Sequence, residues 1–193
     1  MNKVDPHSET DADLVRRMLQ GDLTAFDCLF ARHRRGLRAY VFGLLNDSGW
    51  AEDIVQDCFL ELVRRIGHVN PDKNVSGWLY RVARNKAIDF ARHRKFETGP
   101  PESEQPNAPV SGSDKPDSQA SPLDVMIRNE SAARVQAAVA ALAPRERDVI
   151  AMRFYGGLTF REIAVIVRRP LGTVLWQSRN ALEKMKRTLK DTP

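Results

Sequence analysis

The chain has 193 residues, a net charge of +5 and a sequence pI near 9.5, with 42% hydrophobic and 28% charged residues. This is long enough for one or two domains and apolar enough to build a core. The charge favours polyanionic partners, although solubility alone accounts for it too. The two cysteines, Cys28 and Cys58, lie far apart inside apolar helical patterns and form no CxxC or Cys/His cluster. That excludes a zinc knuckle and points to small buried hydrophobes in a reducing compartment. The polar, acidic N-terminus is no signal peptide, and no apolar run approaches membrane-spanning length, so a cytoplasmic protein is expected.

Taken in order, the pattern is helical almost throughout. Thr10 and Asp13 have the spacing of a capping box for a helix carrying Leu14, Val15, Met18 and Leu19, stopped by Gly21. A longer helix follows from about Leu23 to Leu45, with Phe26, Leu29, Phe30, Leu37, Tyr40, Val41 and Leu44 on its apolar side. Its other side, Arg32, His33, Arg34, Arg35 and Arg38, reads as a solvated basic face. After the Asn46–Gly49 turn, Ser48 is the expected cap of a third helix ending at Gly67. Ile54, Val55, Cys58, Phe59 and Leu62 form its core side. Glu52, Asp53, Gln56, Asp57 and Glu61 make its other face acidic, either for a basic protein partner or as internal charge balance.

A polar loop, His68 to Asn74, leads into the helix Val75 to Lys95, with Ser76 as the expected cap. Leu79, Val82, Ala83 and Phe90 face a core. Trp78, Arg81, Asn85, Ile88 and Arg92 step by three and four along nearly the opposite side. Such a stripe suits stacked bases and phosphates, and equally a solvated face with one anchoring Trp. From Thr98 to Ser121, Pro, Ser, Gly, Asn and Gln replace hydrophobic residues, which predicts a flexible linker. Fully extended it would span roughly 70–80 Å, about two turns of duplex.

Ser121-Pro122-Leu123-Asp124 restarts helix, with Val125, Ile127, Ala132, Val135, Val139 and Leu142 apolar. Pro144 opens RERDVIAMRFY, which Gly156-Gly157 stops. Thr159 and Glu162 box the start of FREIAVIV, Arg168–Gly172 is a tight turn, and a last helix runs from Thr173 to about Lys190. A short helix, a tight turn and a longer basic helix are a helix-turn-helix. Val174, Ser178, Ala181 and Met185 form the inward stripe of the last helix.

AEDIVQDCFLELVRR followed by GWLYRVARNKAIDFARHR resembles the second region of bacterial RNA polymerase sigma factors, specifically the extracytoplasmic-function (ECF) group. LAPRERDVIAMRFYGGLTFREIAVIVRRPLGTV resembles their fourth region. The resemblance implies an all-α chain with a region-two domain at 10–97, a linker at 98–121 and a region-four domain at 122–190. It implies core RNA polymerase and promoter DNA as partners, no cofactor and no catalytic site, and leaves an anti-sigma partner open.

By the same resemblance, Asp53, Gln56, Asp57 and Glu61 dock on core polymerase. His68, Asn70, Lys73, Asn74 and Trp78 form the loop and platform for a flipped −10 base, a step that unstacks DNA. Asn85 contacts bases, and Arg81, Arg84 and Arg92 attend the backbone. On the last helix, Arg179 and Asn180 suit guanine and adenine in the −35 major groove, with Thr173 and Gln177 beside them. Arg168, Arg169 and Lys184 suit phosphates. Leu175 and Trp176 stand where the family commonly has a basic and a small polar residue, and Ser178 replaces a usual aliphatic. Trp176 either contacts a thymine methyl or folds back on the neighbouring helix. Leu175 and Leu182 share a face that could instead dock a protein. The alternative is a helix-turn-helix regulator that never joins polymerase, which leaves the region-two motifs unexplained; a metal-dependent nuclease would need clustered carboxylates on the DNA side, whereas the acidic residues lie on the third helix, apart from the basic stripe.

Overall fold

The computed structural model describes residues 9–98, 134–135, 137–139 and 141–191, and every regular element in them is helical. Helix α1 (Asp11–Leu19) begins at a full capping box: Asp13 N–H donates to Thr10 Oγ1, and Thr10 N–H to the Asp13 carboxylate. Helix α2 (Leu23–Leu45) starts at Asp22, whose carboxylate accepts from Thr24 and Arg17 and is held by those bonds at about 2. Its left-handed Asn46 closes the C-terminus. Helix α3 (Ser48–Arg64) is followed by one 3-10 turn, Ile66–His68. Helix α4 spans Val75–Thr98.

Two caps differ from the sequence reading. Asp47, not Ser48, caps α3, accepting from the N–H groups of Gly49 and Trp50. Asn74, not Ser76, caps α4, accepting from Gly77 N–H. In each case the residue one or two positions earlier reaches the unpaired amides, and an Asp or Asn oxygen does this as well as a hydroxyl.

In the C-terminal half, Pro144 sits in the first turn of α5 (Pro144–Phe154). The Thr159/Glu162 box starts α6 (Phe160–Val167), and α7 covers Leu171–Asp191, two residues earlier than the sequence suggests. The linker and the expected start at Ser121 lie outside the described residues, as do Val125, Ile127 and Ala132.

Helix α2 is the spine. It packs on α1, α3 and α4, and α5 lies against it from the C-terminal half. Phe30 meets Phe59 edge-on at 4.8 Å between centroids, and Phe26 joins them. Leu29, Leu37, Val55, Leu62 and Leu79 are fully buried around this cluster. Cys58 is buried there too, and burial pushes its thiol up to about 12. The core does not stop at the end of α4. Met152, Leu158 and Ile163 of the C-terminal half belong to the same buried cluster, while Leu142, Ile150 and Ala181 form a small second one.

The basic run on α2 is not merely solvated. Arg32 and His33 both reach Asp11, at 2.6 and 2.7 Å, and Arg34 and Arg38 both reach Glu52. Burial pulls the Asp11 carboxyl up, and the bonds from His33 and Arg32 outweigh it and hold the group below its ordinary range. These are cross-helix pairs, invisible to a one-helix reading.

Candidate nucleic-acid interface

Three surfaces carry the residues singled out from the sequence. The first is α3. Asp53, Gln56 and Asp57 are exposed and Glu61 is half-buried. Asp57 pairs with Lys86 of α4 at 2.9 Å, and Glu61 with Arg65 at 2.5 Å. Leu60 and Val63, 52% and 47% exposed, continue the same helical stripe. The surface is therefore acidic at one end and apolar at the other. The sequence reading missed those two residues, although their place out of phase with the core stripe could have flagged them.

The second surface is the loop after α3 with the outer side of α4. Asn70 organises the loop: its side chain accepts from Asp72 N–H and its carbonyl from Lys73 N–H. His68, Asn70 and Lys73 are exposed, as are Arg81, Asn85 and Arg92 along α4. Trp78 is half-buried and packs against the core. Asn74 and Arg84 are differently placed. Asn74 caps α4 with its oxygen and gives its Nδ2 to Glu162 at 2.6 Å. Arg84 Nε binds Asp148 at 3.0 Å.

The third surface is the helix-turn-helix. Thr159 starts α6, and Arg168 ends it in the left-handed region at φ 55°. Val174, Gln177, Ser178 and Ala181 face inward, all under 7% exposed. Gln177 therefore leaves the set of candidate DNA readers: it lies on the packed side of α7. Ser178 is 5% exposed on that side, while Trp176 stays 64% exposed, so Trp176 is not folded back into the packing beside Ser178. Trp176, Leu175, Leu182 and Phe160 line a shallow groove. Arg168 and Arg179 are exposed, and Arg169 and Thr173 half-buried.

Asn180 and Lys184 are not free. Both donate to Glu146 of α5, a carboxylate 5% exposed, with Lys184 Nζ 2.9 Å from both oxygens. Burial alone would raise Glu146. The bonds from Lys184, Asn180 and Ala143 N–H win, and the group lies below its ordinary 4.5. This commitment of two expected readers was not legible in α7, because the residue that holds them is on another helix.

An acidic-apolar patch, an aromatic-basic helix edge and a helix-turn-helix on one all-helical chain are the parts of a transcription initiation factor. Residues 29–97 match Sigma-70 region 2, and residues 138–187 match Sigma-70, region 4. The chain is 31% identical over 184 residues to the ECF RNA polymerase sigma-E factor of Escherichia coli K12, covering 90% of this chain and 93% of that one. It is 29% identical over 184 residues to the RNA polymerase sigma-H factor of Pseudomonas aeruginosa, covering 91% and 93%. Two solved structures share the fold at TM-score 0.63. One is CnrH in complex with the cytosolic domain of CnrY, 22% identical and covering 96% of this chain and all of that one. The other is RpoE in complex with the anti-sigma factor NepR from Bartonella quintana, 20% identical and covering 87% and 98%. The chain belongs to the sigma-70 family, in its ECF group, and acts with RNA polymerase in transcription initiation. Among the described residues no helix is long and apolar enough to cross a membrane.

Proposed function

We propose that this sigma factor divides its work among the three surfaces, with an N-terminal unit over 10–97 and a C-terminal unit over 122–190. Asp53, Gln56, Asp57 and Glu61, extended by Leu60 and Val63, dock on core polymerase. His68, Asn70, Lys73, Trp78, Arg81, Asn85 and Arg92 serve the −10 element, with Asn85 at the bases and the arginines at the backbone. Asn74 and Arg84 join them only when released from the C-terminal half. On α7, Arg179 and Trp176 meet −35 base edges near the N-terminal end of the recognition helix, where such helices read DNA. Arg168 and Arg169 grip phosphate, and Thr173 stands at the helix start. Asn180 and Lys184 keep α7 seated on α5.

The observation that carries this reading is the exposure of Arg81, Asn85 and Arg92 in one row on α4, ending in the polar loop. The work is recognition and strand separation, with no reaction catalysed, and the place of action is the cytoplasm. An anti-sigma protein fits as a further partner, since RpoE, which shares the fold, was solved with the anti-sigma factor NepR. Copurification with core polymerase tests the whole: the chain should enter holoenzyme. Asp57→Lys should cut core affinity about 10-fold while leaving the melting temperature within a few degrees, because the side chain is 56% exposed. Unchanged core affinity in both Asp53→Lys and Asp57→Lys would remove α3 from the assignment.

A further inference from the structure

Asn180 and Lys184 are drawn to Glu146 and Gln177 is buried, so three polar side chains of α7 are withdrawn from its outward face. What stands exposed over its first three turns is Leu171, Gly172, Leu175, Trp176 and Arg179, with Thr173 half-buried. This end of the helix is an apolar wall with one guanidinium. Leu175, Trp176 and Arg179 line one shallow hollow together with Leu182 and, from α6, Phe160. Its margins are basic. Arg168 and Arg169 stand in the turn before α7, and Lys186, Arg187 and Lys190 are exposed toward its far end. An apolar hollow between two cationic margins suits a polyanion that carries apolar groups between its charges. The major groove of duplex DNA is such a surface: phosphates flank the base edges, and thymine adds a methyl group there.

We propose that α7 selects −35 elements by the 5-methyl group of a pyrimidine: Trp176, backed by Leu175, packs on that methyl, and Arg179 takes a guanine one or two base pairs away. The inference rests on the −35 reading of α7. Residues three apart on a helix have Cβ atoms roughly 5–6 Å apart, and stacked base pairs rise roughly 3.4 Å, which sets that spacing. Arg179 suits guanine because its fork meets the O6 and N7 acceptors together. Against Trp176 the bases differ in what they leave unanswered. Cytosine and adenine turn an amino group toward the indole plane, and guanine turns two acceptors. A polar group covered by an apolar wall loses its water with nothing in return. Thymine covers part of its edge with the methyl and is penalised least. The feature read is therefore a methyl group. 5-Methylcytosine offers the same methyl while keeping the amino group.

Holoenzyme made from the full chain and core polymerase selects promoters from a library randomised over both elements. The best −35 sequence is then remade with deoxyuridine in place of each thymine in turn, since uracil differs from thymine by the methyl alone. At one thymine, one or two base pairs from a guanine, the parent should bind the uracil promoter about 4-fold more weakly, the worth of one methyl group taken out of water. Trp176→Ala should bind the thymine and uracil promoters alike, and Trp176→Phe should keep most of the difference. Cytosine at that position should weaken binding further, and 5-methylcytosine should recover about 4-fold of the loss. Arg179→Ala should relax the guanine and keep the thymine–uracil difference.

A selected motif with no thymine near a guanine, a parent indifferent to uracil at every thymine, or a thymine–uracil difference that survives Trp176→Ala would each overturn the methyl readout. The last outcome, with all promoters weakened by one factor, would give the hollow to a protein surface instead. Trp176 is exposed, so its loss should leave the fold standing, which circular dichroism checks. The −35 reading fails separately. If Arg179→Ala leaves the selected motif unchanged, α7 does not read the −35 element, whereas a relaxed motif with no uracil effect removes the methyl readout alone.

Discussion

Helices α4 and α7 are both proposed to meet DNA, yet they present their polar side chains on different terms. On α4 the inward stripe is apolar, with Leu79, Ala83 and Ala87 fully buried, so its outward stripe follows from periodicity alone. On α7 the inward stripe is half polar: Gln177 and Ser178 are buried between Val174 and Ala181. Hydrophobic period then marks the packed face poorly. Moreover, Asn180 and Lys184 flank that stripe and are drawn to Glu146, which arrives from 34 and 38 positions earlier in the chain. A helical wheel tells which way a side chain leaves the axis. It cannot tell which buried charge on another helix will capture it.

The largest expected effect tests that capture. Glu146→Ala should destabilise the chain by about 1–3 kcal/mol, because Asn180 and Ala143 N–H lose an acceptor in a buried place. Lys184 adds less, being half exposed. Urea unfolding measures it; a loss under about 0.5 kcal/mol would mean Asn180 and Lys184 are free to reach DNA after all. The same group has a pH signature. Its folded-state value is depressed below 4.5, so its contribution is complete above that pH and is lost as pH falls through the folded value. Glu146→Gln should flatten the acid side of the stability profile.

Arg179→Ala should cost about 1–3 kcal/mol of −35 binding and relax preference at one or two positions, which a selected −35 library reads directly. Asn180→Ala sharpens the contrast: it should lower stability and leave the selected motif as it was. On α4, Asn85→Ala should reduce open-complex formation and shift −10 preference by about 1 kcal/mol, judged by permanganate footprinting. Identical footprints and base preference would place the reading elsewhere on the loop. Smaller still, Arg169→Ala should weaken all promoters alike and reduce the slope of log affinity against log salt by about one.

Much of the fold was legible because its signals are local. The capping boxes at Thr10/Asp13 and Thr159/Glu162 and the span Leu23–Leu45 stand as the sequence implies. So do the core positions Ile54, Val55, Cys58, Phe59 and Leu62. The misses share a different cause. Ser76 looked like a cap but is turned to Gly156, 80 residues on, and Arg84 looked free but meets Asp148, 64 residues on. Arg32 and His33 found Asp11, and Arg34 found Glu52, across helix boundaries. Long-range polar pairing depends on which helices the apolar stripes bring together, and no window of one helix contains that.

Arg168, at the end of α6, closes the helix in a left-handed conformation that costs an ordinary residue about 1 kcal/mol and that glycine adopts freely. A chain selected for robustness alone would place glycine there. Arg168→Gly is therefore expected to be a more heat-resistant protein and a poorer one at its promoters. On the phosphate role proposed for Arg168, the strain at this corner is a compromise between endurance and grip, and surveys that rank variants by thermal stability alone would choose the wrong residue.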